Sequence, residues 1–164
     1  MPLQAQGEFA LVKQSMQDAL QASGLPLNWG SMAHDHEMYM TLADMAAQLG
    51  DAVALQEYVP RLEELARRDG HQLYLAIAHR AAGVAHRLAG EYSKSRSRLK
   101  SALDIFQHIG ARWQSGRTLT ELGRLEEARS RTKPAREYFN QALAAFEGIR
   151  ASSDADEIRR LIGA

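Results

Sequence analysis

The sequence predicts an all-α protein, a superhelical stack of antiparallel helical hairpins, and two repeating features predict it. Leu122-Gly123, Ala135, Phe139 and Ala142 recur 40 residues earlier as Ala82-Gly83, Ser95, Leu99 and Ala102, and 40 earlier again as Leu42-Ala43, Leu55, Val59 and Leu62. From the second repeat to the third, Gly83, Ser95 and Ala102 stay small as Gly123, Ala135 and Ala142, and Leu99 stays large as Phe139. The same shift carries Gly50 onto Gly90 and Gly70 onto Gly110, so the helix breaks repeat together with the apolar positions. A period this long marks paired helices that bury their apolar faces only by stacking on their neighbours. With 164 residues, 45% of them hydrophobic and 24% charged, the chain suits one structural domain with a sizeable core.

Residues 1–30 read as a degenerate N-terminal helix and loop. Phe9, Val12, Met16 and Ala19/Leu20 fall on one helical stripe, and Gly24-Leu25-Pro26-Leu27-Asn28-Trp29-Gly30 breaks it. Gly30 precedes Gly70 by one period, so this helix reads as the second half of an earlier repeat, with Trp29 packing the loop down. Three repeats follow, over about 31–70, 71–110 and 111–150. In the first, Tyr39, Leu42, Ala43, Ala46 and Leu49 make a stripe that ends at Gly50, and Asp51 is placed to cap the next helix. Gly90-Glu91 repeats the turn with a poorer cap. Ser130-Arg131-Thr132-Lys133-Pro134 replaces it without glycine, offering hydroxyl caps and a proline suited to a first helical turn. The second helices should run over about 52–68, 92–109 and 134–149, the first of them kinked or broken near Val59 by Pro60. Residues 151–164 read as a C-terminal capping helix, with an N-cap region at Ser152-Ser153-Asp154 and an apolar face of Ile158, Leu161 and Ile162.

The absence of cysteine excludes disulfides, thiolate metal sites and cysteine nucleophiles. No basic leader precedes an apolar core and no apolar run approaches the roughly 18 residues of a membrane span, so a cytoplasmic protein with no membrane partner is expected. Lys plus Arg and Asp plus Glu balance at 20 each, yet residues 1–70 carry 4 basic and 10 acidic side chains and residues 71–164 carry 16 and 10. In a linear stack the two ends then present opposite fields. This reads as drift of surface composition, as an acidic partner for the C-terminal part, or as weak head-to-tail self-association.

Helical pairs with a small residue at position 8, a turn glycine near 15, a small residue near 20, a large one near 24 and alanine near 27 resemble the tetratricopeptide repeat (TPR). Gly83, Gly90, Ser95, Leu99 and Ala102 carry the resemblance, as do Gly123, Ala135, Phe139 and Ala142, over residues 36–149. The period is 40 and not the usual 34, His86 or Glu126 stands where an aromatic is usual, and only Leu119 keeps an apolar residue at the usual Trp position. Longer repeats of this kind are similar to the TPR arrays of bacterial LuxR-type regulators and signal-transduction ATPases, as is the run Phe106 to Trp113.

The resemblance implies a right-handed α-solenoid whose first helices form a concave partner-binding wall. Carried over, the wall residues are Ile77, Arg80, Val84, Arg87 and Leu88 in the second repeat and Arg117, Thr120, Arg124, Glu127 and Ala128 in the third. The first repeat supplies Glu37, Met40, Asp44 and Gln48. A protein or peptide partner is therefore expected in a groove around Met40, Asp44, Arg80, Val84, Arg87, Arg117, Thr120 and Arg124. Four guanidinium groups there would suit an acidic segment through paired hydrogen bonds. The plainer reading has the arginines solvated and paired with Glu121 and Glu127. A module of a bacterial regulatory or signalling assembly follows from the first reading; a sensor of an anionic small molecule or nucleotide is the alternative, and a metal-dependent enzyme a distant one.

His34, His36, Met38 and Met40 fall on two helical faces, so no four ligands converge and no metal is expected. His79 and His86 share a face without a cysteine or nearby carboxylate in the sequence, which favours a packing role. Lys94, Arg96, Arg98 and Lys100, with Lys133 and Arg136, are spread around their helices with Tyr92 as the one aromatic among them, so nucleic acid is not expected. No phosphate loop, dinucleotide fingerprint, nucleophile elbow or paired acid motif occurs, and neither catalysis nor a cofactor is expected.

Overall fold

The computed structural model describes residues 32–163 and, upstream, Leu11, Gln14, Ser15 and Asp18. Those four positions are helical and exposed, lying off the predicted apolar stripe. The stripe itself, the Gly24 to Gly30 break and Trp29 lie outside the described residues, as do the side chains of residues 32–35, including His34. All described elements are helices: α1 (Met32–Leu49), α2 (Ala52–Arg68), α3 (Gln72–Leu88), α4 (Tyr92–His108), α5 (Arg112–Ala128), α6 (Thr132–Glu147) and α7 (Ser152–Gly163). They begin at 32, 52, 72, 92, 112, 132 and 152, so the 40-residue period of the sequence is two equal 20-residue steps. None is long and apolar enough to cross a membrane.

The step is set at the turns. Gly50, Gly70, Gly90 and Gly110 adopt φ between 64° and 74°, and Ser130 (58°) and Arg150 (59°) continue the series without being glycine. At every turn the next residue's N–H reaches the carbonyl five residues back, from Asp51 to Ala46 at 2.9 Å through to Ala151 to Phe146 at 2.9 Å. These bonds satisfy carbonyls that the helix end leaves open. Asp51 caps α2 as expected, its Oδ1 accepting from the Ala54 N–H at 3.0 Å. The hydroxyl caps expected further on are absent. Ser130 is itself the left-handed residue, and Arg131 stands at the N-cap of α6 with no side-chain capping bond. Ser152 and Asp154 lie inside the first turn of α7, because the rhythm puts Ala151 at the boundary. At Pro60, where a kink or break is expected, α2 runs on without a break. Pro60 and Gln56, whose carbonyl loses its donor, both lie on an exposed face where water can supply one.

Each helix packs on the next, and α3 also packs on both α1 and α5, whereas the backbones of α2, α4 and α6 stay farther apart. The stack therefore curves, with the first helices inside. Being enclosed, α3 is buried nearly all round and is built of small residues, among them Ala76, Ala78, Ala81, Ala82 and Gly83. The small-to-large pairing predicted from the repeat is direct. A Cβ on Gly83 would stand 2.6 Å from Leu99 Cγ, and one on Gly123 would run into the Phe139 ring. Gly116 makes an unanticipated third pair: a Cβ there would stand 2.7 Å from the Phe146 ring. Two core clusters result, one around Leu42, Leu55, Tyr58, Leu62, Ile77 and Phe106, the other around Leu99, Leu122, Phe139, Phe146 and Ile158. Through Ala155 and Ile158, α7 joins the second cluster, and it starts one period after α5, where the first helix of a fourth repeat would stand.

Candidate functional site

Along the inner wall, one acid is placed against arginines from the next first helices. Asp44 on α1 accepts from Arg80 Nη2 on α3 and from Arg117 Nη1 on α5, both at 2.8 Å. Arg80, 2% exposed, also donates to Gln114 Oε1 at 2.5 Å, and its guanidinium lies 5.3 Å from the centre of the Phe106 ring. Burial pushes the Asp44 carboxyl up, but the charges of Arg80 and Arg117 outweigh it and hold the group below its ordinary value. Burial and the neighbouring Arg117 bring Arg80 down to about 10, which leaves it cationic at neutral pH.

The ladder continues toward α7. Glu121 accepts from Arg87 Nη2 at 3.2 Å and Arg124 Nη1 at 2.6 Å, and Arg124 Nη2 reaches Glu157 Oε1 at 3.0 Å. Burial alone would lower Arg124; the carboxylates of Glu121 and Glu157 reverse this and raise it. Trp113, 40% exposed, donates its indole N–H to Asp154 Oδ2 at 3.2 Å while Arg117 stacks 4.8 Å from the indole.

These groups border a cavity of about 210 Å³ between α1, α3, α5 and α7, with Phe146 and Ile158 among its apolar residues. Of the predicted groove residues, Arg80, Val84, Arg117, Thr120 and Arg124 line it. Val84 and Thr120 are buried in its floor, the Thr120 hydroxyl donating to the Gly116 carbonyl at 3.1 Å. Asp44 and Arg87 do not line it and hold the lining arginines or Glu121 from behind, and Met40 packs against the first core cluster. The arginines are paired, as the plainer reading expected, with Glu121 as one partner, but they are not solvated: Arg80 is buried and Arg87 and Arg117 are largely so. Among the described residues Glu127 makes no ion pair, though its charge also acts on Arg124, and Asp44 and Glu157 are the further partners. Three lining arginines face three lining acids, Glu121, Asp154 and Glu157, so the cavity lining carries no net charge to draw an anion. Trp113 and the α7 residues were missed as site residues; the signal available was that positions 153–157 fall one period after 113–117.

The basic run on α4 divides among three partners. Lys94 pairs with Glu91 at 2.7 Å, Arg96 with Glu126 at 3.2 Å, and Arg98 with Glu63 at 2.8 Å. One of the two histidines does meet a carboxylate, contrary to expectation, because the turn after α3 folds Glu91 back onto His86, and the other meets an arginine from the next helix. His86 Nδ1 lies 2.6 Å from Glu91 Oε2, and Arg98, held by Glu63, reaches His79 Nδ1 at 2.7 Å. Burial and the Arg98 charge lower the His79 pKa. Among the described residues no three His, Asp or Glu side chains are grouped to hold a metal ion.

No family model matches the chain, and no curated protein matches it.

Proposed function

We propose that this protein is a TPR-like interaction module that takes a short polypeptide segment on its inner wall, as an adaptor within a larger regulatory or signalling assembly. The observation that carries the reading is the cavity beside Trp113: a half-exposed indole and buried apolar side chains set among ion pairs whose partners already hold one another. Preorganised polar groups around an aromatic anchor are the composition of an interface hot spot. A volume of about 210 Å³ accepts one side chain or chain end, and falls below the roughly 300–1,000 Å³ of ordinary small-molecule sites. That size and the balanced charge weigh against a nucleotide or other polyanion. The segment it suits carries an apolar or aromatic residue flanked by both donors and acceptors, and not the purely acidic segment expected from the arginines alone.

The test is selection of a random twelve-residue peptide library on the immobilised full chain, with the recovered peptides titrated against Trp113→Ala and Gln48→Arg. Trp113 is exposed enough for its loss to spare the fold, which circular dichroism would check. Binding of the selected peptides should fall about tenfold or more in each variant. Peptides that bind both variants as tightly as the parent would sink the reading.

A further inference from the structure

A second charged cluster lies away from the inner wall, where the α3–α4 and α5–α6 turns stand side by side. A notch of about 380 Å³ opens there, lined by Gly90 to Lys94 and by Arg129. Beneath Arg129 lies Glu126, 1% exposed, with Arg96 Nη1 at 3.2 Å, Arg129 Nη1 at 3.3 Å and Arg131 Nη1 at 3.7 Å from its carboxylate. Three guanidinium charges on one carboxylate leave a net of +2. Of the side chains, only those of Arg96 and Arg129 hydrogen-bond the Glu126 carboxylate, both through Oε1, and the Arg131 guanidinium makes no hydrogen bond to it. Each guanidinium carries five donors in a planar fork, so most of those around Glu126 are uncommitted. The side chains of Arg96 and Arg131 are 40% and 50% exposed and can turn those donors outward. The acid that lines the notch, Glu91, is already neutralised by Lys94 at 2.7 Å and faces His86 at 2.6 Å. Arg131 is also the N-cap residue of α6, whose opening N–H groups receive no side-chain cap.

We infer that this turn edge is an oxyanion site for a phosphate dianion or a phosphomonoester group. A phosphomonoester carries a charge of about −1.5 to −2 at neutral pH and three acceptor oxygens, which matches the net +2 and the forked donors. A single carboxylate would neutralise half of it. Glu126 acts as the positioning residue, fixing three arginines from α4 and the α5–α6 turn around one point without occupying their outer donors.

The experiment is an amide NMR titration of the full chain at constant ionic strength set with chloride. The probes are inorganic phosphate, a Gly-Gly-phosphoserine-Gly-Gly peptide, and the same peptide unphosphorylated. Saturable shifts at Ser130, Arg131 and Thr132 and at Glu91 to Lys94 are expected with the first two probes only. Arg131→Gln should weaken binding about tenfold, and Arg61→Gln, on a different face, should not change it. Tighter binding of the phosphopeptide than of phosphate identifies a phosphorylated partner as the source, and the reverse identifies free phosphate. The wild-type map needs no variant to fold. Absence of saturable shifts at the turn edge, or an Arg131→Gln protein that titrates like the parent, would overturn the site, as would tighter binding of a single-stranded DNA oligomer, whose diesters carry one charge each.

Discussion

Asp44 on the inner wall and Glu126 at the turn edge each gather arginines around one carboxylate, two in the first case and three in the second. The difference lies in what surrounds the cations. Arg80 is buried beneath Asp44 and Arg117 is 15% exposed, so neither can exchange its partner for water readily. Around Glu126 the arginines are 23% to 50% exposed and the acid is the buried member. A buried cation binds its acid for the sake of the fold, whereas a buried acid under exposed cations leaves their outer donors for something else.

Asp44→Ala tests the wall most severely. It leaves Arg80 charged and buried without its counter-ion, a situation that costs about 3–5 kcal/mol. Urea unfolding at pH 7 should register that loss, and a loss below about 1 kcal/mol would mean the wall is as solvated as the edge. The same acid predicts a pH response. Its folded pKa is depressed, so its contribution is present above 3.8, its ordinary value, and is lost as pH falls through the lower folded value. Acid titration of the parent should show that loss below pH 3.8, and Asp44→Ala should not.

The Glu63, Arg98 and His79 cluster stands between the two cases, with side-chain exposures of 11% for Glu63 and 31% for Arg98. His79 accepts from Arg98 when neutral and is repelled by it when protonated. Its folded pKa is lowered below 6.5, so the unfolded chain binds the extra proton first as pH falls through that range, and stability drops. One proton sets a slope of at most about 1.4 kcal/mol per pH unit. In His79→Gln the amide oxygen can still accept from Arg98 but cannot titrate. Urea midpoints between pH 7 and 5 should therefore fall less steeply in this variant than in the parent.

How much of this could be read from the sequence differs between the same regions. The stack, the hairpins and the small-to-large pairs at Gly83 and Leu99 and at Gly123 and Phe139 follow from the 40-residue period, because close helix approach leaves few residue types possible. The wall positions were legible as positions, since helical spacing fixes which residues share a face. Their pairing was not. Asp44 and Arg117 are 73 residues apart, and only the curvature of the stack brings α1 and α5 to the same buried cluster. At the edge the signal was a departure from the pattern that the resemblance implies, an acid at Glu126 in place of an aromatic, and an acid buried there requires cations around it. The 20-residue step was visible in four glycines, but Ser130 and Arg150 hid its continuation because backbone hydrogen bonds, and not residue type, hold those turns.

Glu126→Gln turns the comparison into a measurement on the edge alone. The amide keeps an acceptor for Arg96 and Arg129 and removes a buried charge, while the three exposed guanidiniums pass to water. Removing the buried charge recovers its desolvation cost, which offsets the lost attraction, so urea unfolding should change by less than about 1 kcal/mol. A loss as large as that of Asp44→Ala would erase the distinction between the two clusters.

The smallest effects separate backbone from side chain at two turns, one at the edge and one leading into the wall. Ser130 and Arg150 hold φ of 58° and 59° with a Cβ present, which is strained relative to glycine by roughly 1–2 kcal/mol. Glycine in exchange loosens the unfolded chain by about 0.5–1 kcal/mol. Ser130→Gly and Arg150→Gly should therefore each stabilise the fold by roughly 0.5 kcal/mol, detectable as small parallel rises in urea midpoint. Equal gains would show that the two turns differ in nothing but the clusters they adjoin. A gain at Arg150 with a loss at Ser130 would show that the edge turn depends on its serine side chain, and that the Glu126 arginines are not held by charge alone.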